Sequence, residues 1–231
     1  VVTRRQRQMC IRDSYCIEAL IESNPEIIEF INIPNPKDKK ISELAVNAKQ
    51  SGIKILNKSK DFYAACKEPA VRDIKSANYE IGKSVLIFDE VQDTRNLGSC
   101  LRTASFFGIN SVIIPKNNSA DFNNTAVIET STGGVYDLDL YKVANISQTI
   151  NKLKENNYWV TGFSEHAKKD INTLVPSEKN VFVFGNEQKG IKQLVLKNCD
   201  EVLKIKQIGQ TSSLNISIAA AIATYTLTNK I

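Results

Sequence analysis

The chain has 231 residues, 42% of them hydrophobic and 24% charged. That is enough apolar material to close a core, and no apolar run is long enough to span a membrane. Five widely spaced cysteines without a Cys-x-x-Cys pair, and a single histidine, His166, argue against a disulfide framework and a histidine-based metal site, so a cytoplasmic protein with free thiols and no metal is expected.

The formal net charge is +5. Arg4, Arg5, Arg7 and Arg12 against Asp13 supply +3 of it, so charge alone argues only weakly for nucleic acid. Met9-Cys10-Ile11-Arg12-Asp13-Ser14 resembles the in-frame translation of a transposon-end sequencing adapter, and Met9 is the only methionine. Val1 to Ser14 is therefore expected to be non-native, to take no part in the fold, and to stand where the true N-terminus is missing. A basic arm that binds nucleic acid is the alternative.

From Tyr15 to about residue 80 the pattern is that of a small α/β unit. Cys16 to Glu22 reads as the end of a helix. Ile27 to Ile33 is a β-branched strand bounded by Asn24-Pro25 and Pro34-Asn35-Pro36. Ile41, Leu44, Ala45 and Ala48 recur at helical spacing up to Ser51-Gly52. Ile53 to Leu56 predicts a short strand and Phe62 to Cys66 a short helix, with a joint at Ile81-Gly82-Lys83-Ser84.

The second unit, 81–231, opens with Val85-Leu86-Ile87-Phe88, a run suited to a strand covered on both faces. A helix from Arg95 to Phe107, ended by Gly108, leads to a strand at Val112 to Ile114. A helix near Asn123 to Ser131 follows, then a strand at Leu138 to Val143 and a helix to about Glu155. Strands at Tyr158 to Phe163, Val181 to Phe184 and Val202 to Ile205, and a last helix from Ser213, complete the alternation. The pattern predicts a mostly parallel sheet with helices on both faces.

Ligands of open parallel sheets lie beyond the carboxyl ends of the strands. Three loops there carry unusual residues: Asp93-Thr94-Arg95-Asn96-Leu97-Gly98 with Arg102-Thr103-Ala104; Gly185-Asn186-Glu187-Gln188-Lys189-Gly190; and Gly209 to Asn215. No Gly-x-Gly-x-x-Gly follows a strand, and Gly82-Lys83-Ser84 precedes one, so neither a dinucleotide fingerprint nor a Walker loop is present. Taken singly, each loop also has a structural explanation: Asn96 and Ser213 as helix caps, Arg102 as a solvated charge, the glycines as turns.

Together and in this order, the loops resemble the three motifs of the SpoU/TrmH branch of the SPOUT RNA methyltransferases. The likeness runs from about Ser84 to Leu227, and Val112 to Ala126 extends it toward the bacterial 23S rRNA guanosine 2′-O-methyltransferases. Thr94 stands where the family has proline, and Lys206-Gln207 where it has Pro-Met beside the cofactor pocket. The resemblance implies an α/β fold whose C-terminal domain has a parallel sheet and a trefoil knot, behind a small ribosomal-protein-like RNA substrate-binding domain. It implies a homodimer with the active site completed at the interface, and S-adenosylmethionine as cofactor, held near Gly185, Ile205 and Leu214. Arg102 would be catalytic at the ribose 2′-OH, either as an electrostatic stabiliser or as a transiently deprotonated base. Asn96 and Glu187 would orient it and the cofactor-side loop; Ser213 and Asn215 would fix the third loop. The implied substrate is a guanosine of 23S rRNA, with a tRNA 2′-O-methyltransferase or a catalytically inactive RNA-binding homologue as alternatives.

Overall fold

The computed structural model describes residues 9–34, 38–211 and 213–230. Residues 1–8, the Asn35-Pro36 boundary and Ser212, on which parts of the sequence reading fall, lie outside them. The first unit is a mixed sheet of β1 (Met9–Ile11), β2 (Ile28–Asn32), β3 (Ile55–Leu56) and β4 (Tyr63–Cys66), ordered β1-β4-β2-β3, with helices α1 (Ser14–Ser23) and α2 (Lys39–Gln50).

Two expectations are corrected here. Tyr63–Cys66 is a strand, not a helix, because it is paired antiparallel on both sides, to β1 and β2. Ala64 and Cys66 point into the main core, and cross-strand pairing outweighs alanine's preference for helix. Residues 9–14 also belong to the fold. Met9 and Ile11 are buried, the latter fully, and the Asp13 side chain caps α1 by accepting from Cys16 N. What reads as a helix end from Cys16 is thus a complete, capped helix.

The second unit is an eight-stranded, wholly parallel sheet. It holds β5 (Val71–Arg72), β6 (Ser84–Phe88), β7 (Ser111–Pro115), β8 (Asp139–Val143), β9 (Trp159–Phe163), β10 (Lys169–Asp170), β11 (Asn180–Phe184) and β12 (Glu201–Lys204). Their order is β10-β12-β9-β11-β6-β7-β8-β5. β5 pairs with β8, so the chain enters the second unit about ten residues before the joint read from the sequence. Tyr158 reinforces that joint: its hydroxyl accepts from Ile81 N and donates to the Gly82 carbonyl.

β6 shows why its apolar run is continuous. Leu86 and Phe88 face a core shared with α3 (Thr94–Phe106), α4 (Thr125–Thr130) and α7 (Ile216–Thr228). Val85 and Ile87 face a second core, with α5 (Ile146–Glu155) and α6 (Gln193–Asn198). The first unit joins the first of these cores: Ile11, Ile17 and Leu20 lie in one cluster with Ile128, Val135 and Leu138. Asp137 ties the seam, accepting from Ser105 Oγ at 2.6 Å and Asn24 Nδ2 at 2.9 Å. Gly133 has φ 82°, and a Cβ there would meet Leu20 Cδ2 at 2.9 Å, so the seam also needs that glycine. Among the described residues no helix is long and apolar enough to cross a membrane, and no group of three His, Cys, Asp or Glu side chains could hold a metal ion.

Candidate active site

The three loops meet at the carboxyl end of the sheet. Asp93, not Asn96, caps α3, its carboxylate accepting from Arg95 N and Asn96 N. That leaves the Asn96 side chain free to bridge the other two loops. Its Nδ2 donates to Glu187 Oε1 at 3.2 Å, and its Oδ1 accepts from Asn215 Nδ2 at 2.9 Å. Asn215 in turn caps α7, accepting from Ser217 N and Oγ. The last helix therefore starts at Ile216 with Asn215 as cap; Ser213 is exposed ahead of it.

Two motif glycines have steric reasons. A Cβ on Gly98 would stand 2.7 Å from the Val127 carbonyl and from Thr130 Cβ, so it allows α3 and α4 to approach closely. A Cβ on Gly185 would fall 2.0 Å from Gly190 C and Ile191 N. The 185–190 loop is folded back on itself, with an antiparallel bridge between Asn186 and Gly190. On the third loop, Ile205 packs against the core, while Leu214 and Ile208 are 51% and 90% exposed. Exposed apolar side chains on this loop suit a ligand with an apolar part.

Arg102 stands apart. It lies six residues after Asn96, which on a helix is about 9 Å along the axis and well round its face. Among the described residues it makes no hydrogen bond or ion pair. The expectation that Asn96 and Glu187 orient Arg102 is not met within one chain. Arg102 instead lines a cleft of about 660 Å³ with Tyr15, Glu18 and Glu22 of α1 and Glu129 and Thr130 of α4. The sequence reading missed this cleft because half of its wall comes from the first unit.

It also missed a charged set behind the second loop. Asp89, at the end of β6, is 2% exposed, and burial raises its pKa. Glu90 Oε1 takes Lys192 Nζ at 2.6 Å; that hydrogen bond lowers the carboxyl pKa and raises that of the lysine.

A family model described as the SpoU rRNA Methylase family matches residues 83–225. A Staphylococcus aureus protein with the provisional name TrmH family tRNA/rRNA methyltransferase is 34% identical over 231 residues, covering 92% of each chain. An uncharacterized tRNA/rRNA methyltransferase of Archaeoglobus fulgidus is 33% identical, covering 92% of this chain and 95% of its own. The fold is that of the SpoU methyltransferase AviRb from Streptomyces viridochromogenes, with TM-score 0.78 and 18% identity over 96% of this chain and 89% of the other. The chain belongs to the SpoU rRNA methylase family. As a member it is an RNA methyltransferase.

Proposed function

We propose that the protein transfers a methyl group from S-adenosylmethionine to a ribose 2′-OH of structured RNA, in finer terms a guanosine of 23S rRNA. The observation that carries this reading is the Asn215–Asn96–Glu187 hydrogen-bond chain, which joins all three motif loops at the carboxyl end of the sheet. The cofactor supplies an activated methyl group, displaced in line from a sulfonium. The protein's task is alignment and charge stabilisation, with no metal and no covalent intermediate.

In this reading Gly185, Ile205 and Leu214 line the cofactor pocket, and the C-terminal segment threads a loop to make the knot. The solved structure of AviRb with AdoMet, of the same fold at TM-score 0.76, supports the donor. Arg102 holds the phosphate beside the target ribose and stabilises the developing alkoxide, since its planar guanidinium offers a fork of N–H donors and no acceptor. Ser213 contacts ligand or RNA from the third loop.

The separation of Arg102 from the hydrogen-bonded loops supports a homodimer in which one copy's arginine serves the other's cofactor loops. An exposed aromatic face supports it too: Phe106 is 81% and Tyr225 59% exposed, with Phe107 between them at 5.0 and 6.2 Å. The test is incubation with labelled S-adenosylmethionine and unmodified 23S rRNA or tRNA transcripts, followed by nucleoside analysis. Label in 2′-O-methylguanosine from 23S rRNA is expected. Label only from tRNA would move the substrate, and label in no nucleoside would overturn the reading.

A further inference from the structure

The 185–190 loop is closed on itself by the Asn186–Gly190 bridge, and its neck lies where β11 enters and Ile191-Lys192 leave. That neck is fastened to the loop after β6 by four hydrogen bonds, and a fifth, from Asn118 after β7, holds the same Glu90 carboxylate. Asp89 N donates to the Phe184 carbonyl at 2.8 Å, and Asp89 Oδ2 accepts from Lys192 N at 3.2 Å. The Glu90 carbonyl accepts from Asn186 Nδ2 at 2.9 Å. Glu90 Oε1 accepts from Lys192 Nζ at 2.6 Å and from Asn118 Nδ2 at 3.1 Å.

Two features mark this as more than ordinary packing. Glu90 has φ 63°, a left-handed conformation disfavoured for a residue with a Cβ. That conformation accompanies a carbonyl bonded to Asn186 and a carboxylate bonded to Lys192. Asp89 is a nearly fully buried carboxylate at the sheet's carboxyl end, a costly group to bury, and among the described residues its one side-chain bond goes to Lys192, just past the loop.

We propose that Asp89, Glu90 and Lys192 form a latch that fixes the 185–190 loop in its cofactor-holding position, with Asp89 as the principal positioning residue. The inference rests on the reading that this loop holds S-adenosylmethionine. The latch acts on the free protein: it holds the loop in place before the cofactor arrives, so that binding does not have to order it. Asp89, Glu90 and Lys192 take no part in the Asn96–Glu187 bond.

Asp89→Ala and, as a second variant that keeps the buried carboxylate, Lys192→Met are compared with Asp89→Asn, which retains an oxygen acceptor for Lys192 N. Titration calorimetry with S-adenosylmethionine is expected to give at least tenfold weaker binding for Asp89→Ala and several-fold weaker binding for Lys192→Met. Asp89→Asn should lie within about threefold of wild type. The KM for S-adenosylmethionine should rise in step, with kcat at saturation within twofold. Hydrogen exchange of residues 185–191 in the cofactor-free protein should be faster in Asp89→Ala. Affinity and exchange unchanged in both Asp89→Ala and Lys192→Met would overturn the latch, as would Asp89→Asn behaving like Asp89→Ala. The underlying reading has its own readout: if S-adenosylmethionine does not slow exchange of 185–191 in the wild type, the loop does not hold the cofactor, whatever the variants do.

Discussion

Ile11→Ala tests whether the start of the chain is part of this fold. Ile11 is fully buried, sits in β1 opposite Ala64 of β4, and belongs to the core cluster that includes Ile128 and Leu138 of the catalytic unit. Replacing it by alanine removes three carbon atoms from a site walled by two packed units, where collapse around the hole is restricted. Core substitutions of this kind cost about 2–5 kcal/mol. In a chain of this length that is a fall in melting temperature of roughly 4–20 °C. The assay is calorimetric or circular-dichroism melting with urea unfolding as a second measure, each referred to wild type. Arg12→Ala serves as control: among the described residues its side chain makes only a long, exposed ion pair with Asp61, at 4.0 Å, and should change stability by less than about 0.5 kcal/mol. If Ile11→Ala also costs less than about 0.5 kcal/mol, a surface-like value, the segment is an appendage and its packing is not part of the stable fold.

Arg102→Ala should remove most methyl transfer while leaving S-adenosylmethionine affinity within a few fold, as measured by single-turnover transfer and calorimetry. Arg102→Lys should be nearly as inactive, because it keeps the charge but loses the planar fork; a largely active lysine variant would make Arg102 a simple surface charge. If, as proposed, Leu214 lines the cofactor pocket, Leu214→Asp puts a charge into its apolar part, so S-adenosylmethionine binding should fall sharply with the oligomeric state unchanged by light scattering. Asp89→Asn should be more stable than wild type at pH 7. Burial raises the folded-state pKa of Asp89, so its cost is absent below the unfolded value of about 3.9 and complete above the folded one. The melting-temperature gap should therefore close on acidification; a gap that widens would contradict the sign.

Much of the catalytic unit is legible in the sequence because its signals are local. The run Val85 to Phe88 is apolar at every position since both faces of β6 are covered. The helix over 94–106 carries its own cap in Asp93 and its own stop in Phe107-Gly108. The motif loops are recognisable because glycine and amide side chains stand where the backbone doubles back. Other features escaped because their causes lie far along the chain. Tyr63–Cys66 has no strand pattern of its own and is a strand because β1 and β2 flank it. Residues 9–11 look foreign by origin, yet they pair because an unfilled sheet edge and an apolar seam accept Met9 and Ile11. The sequence determined which loops carry the family's motifs. The tertiary structure alone decided that Asn96 joins the other two loops while Arg102, on the same helix, opens toward α1 and α4. The physical reason is that a helix fixes the angle between its residues, whereas what each face meets is set by the elements that pack against it.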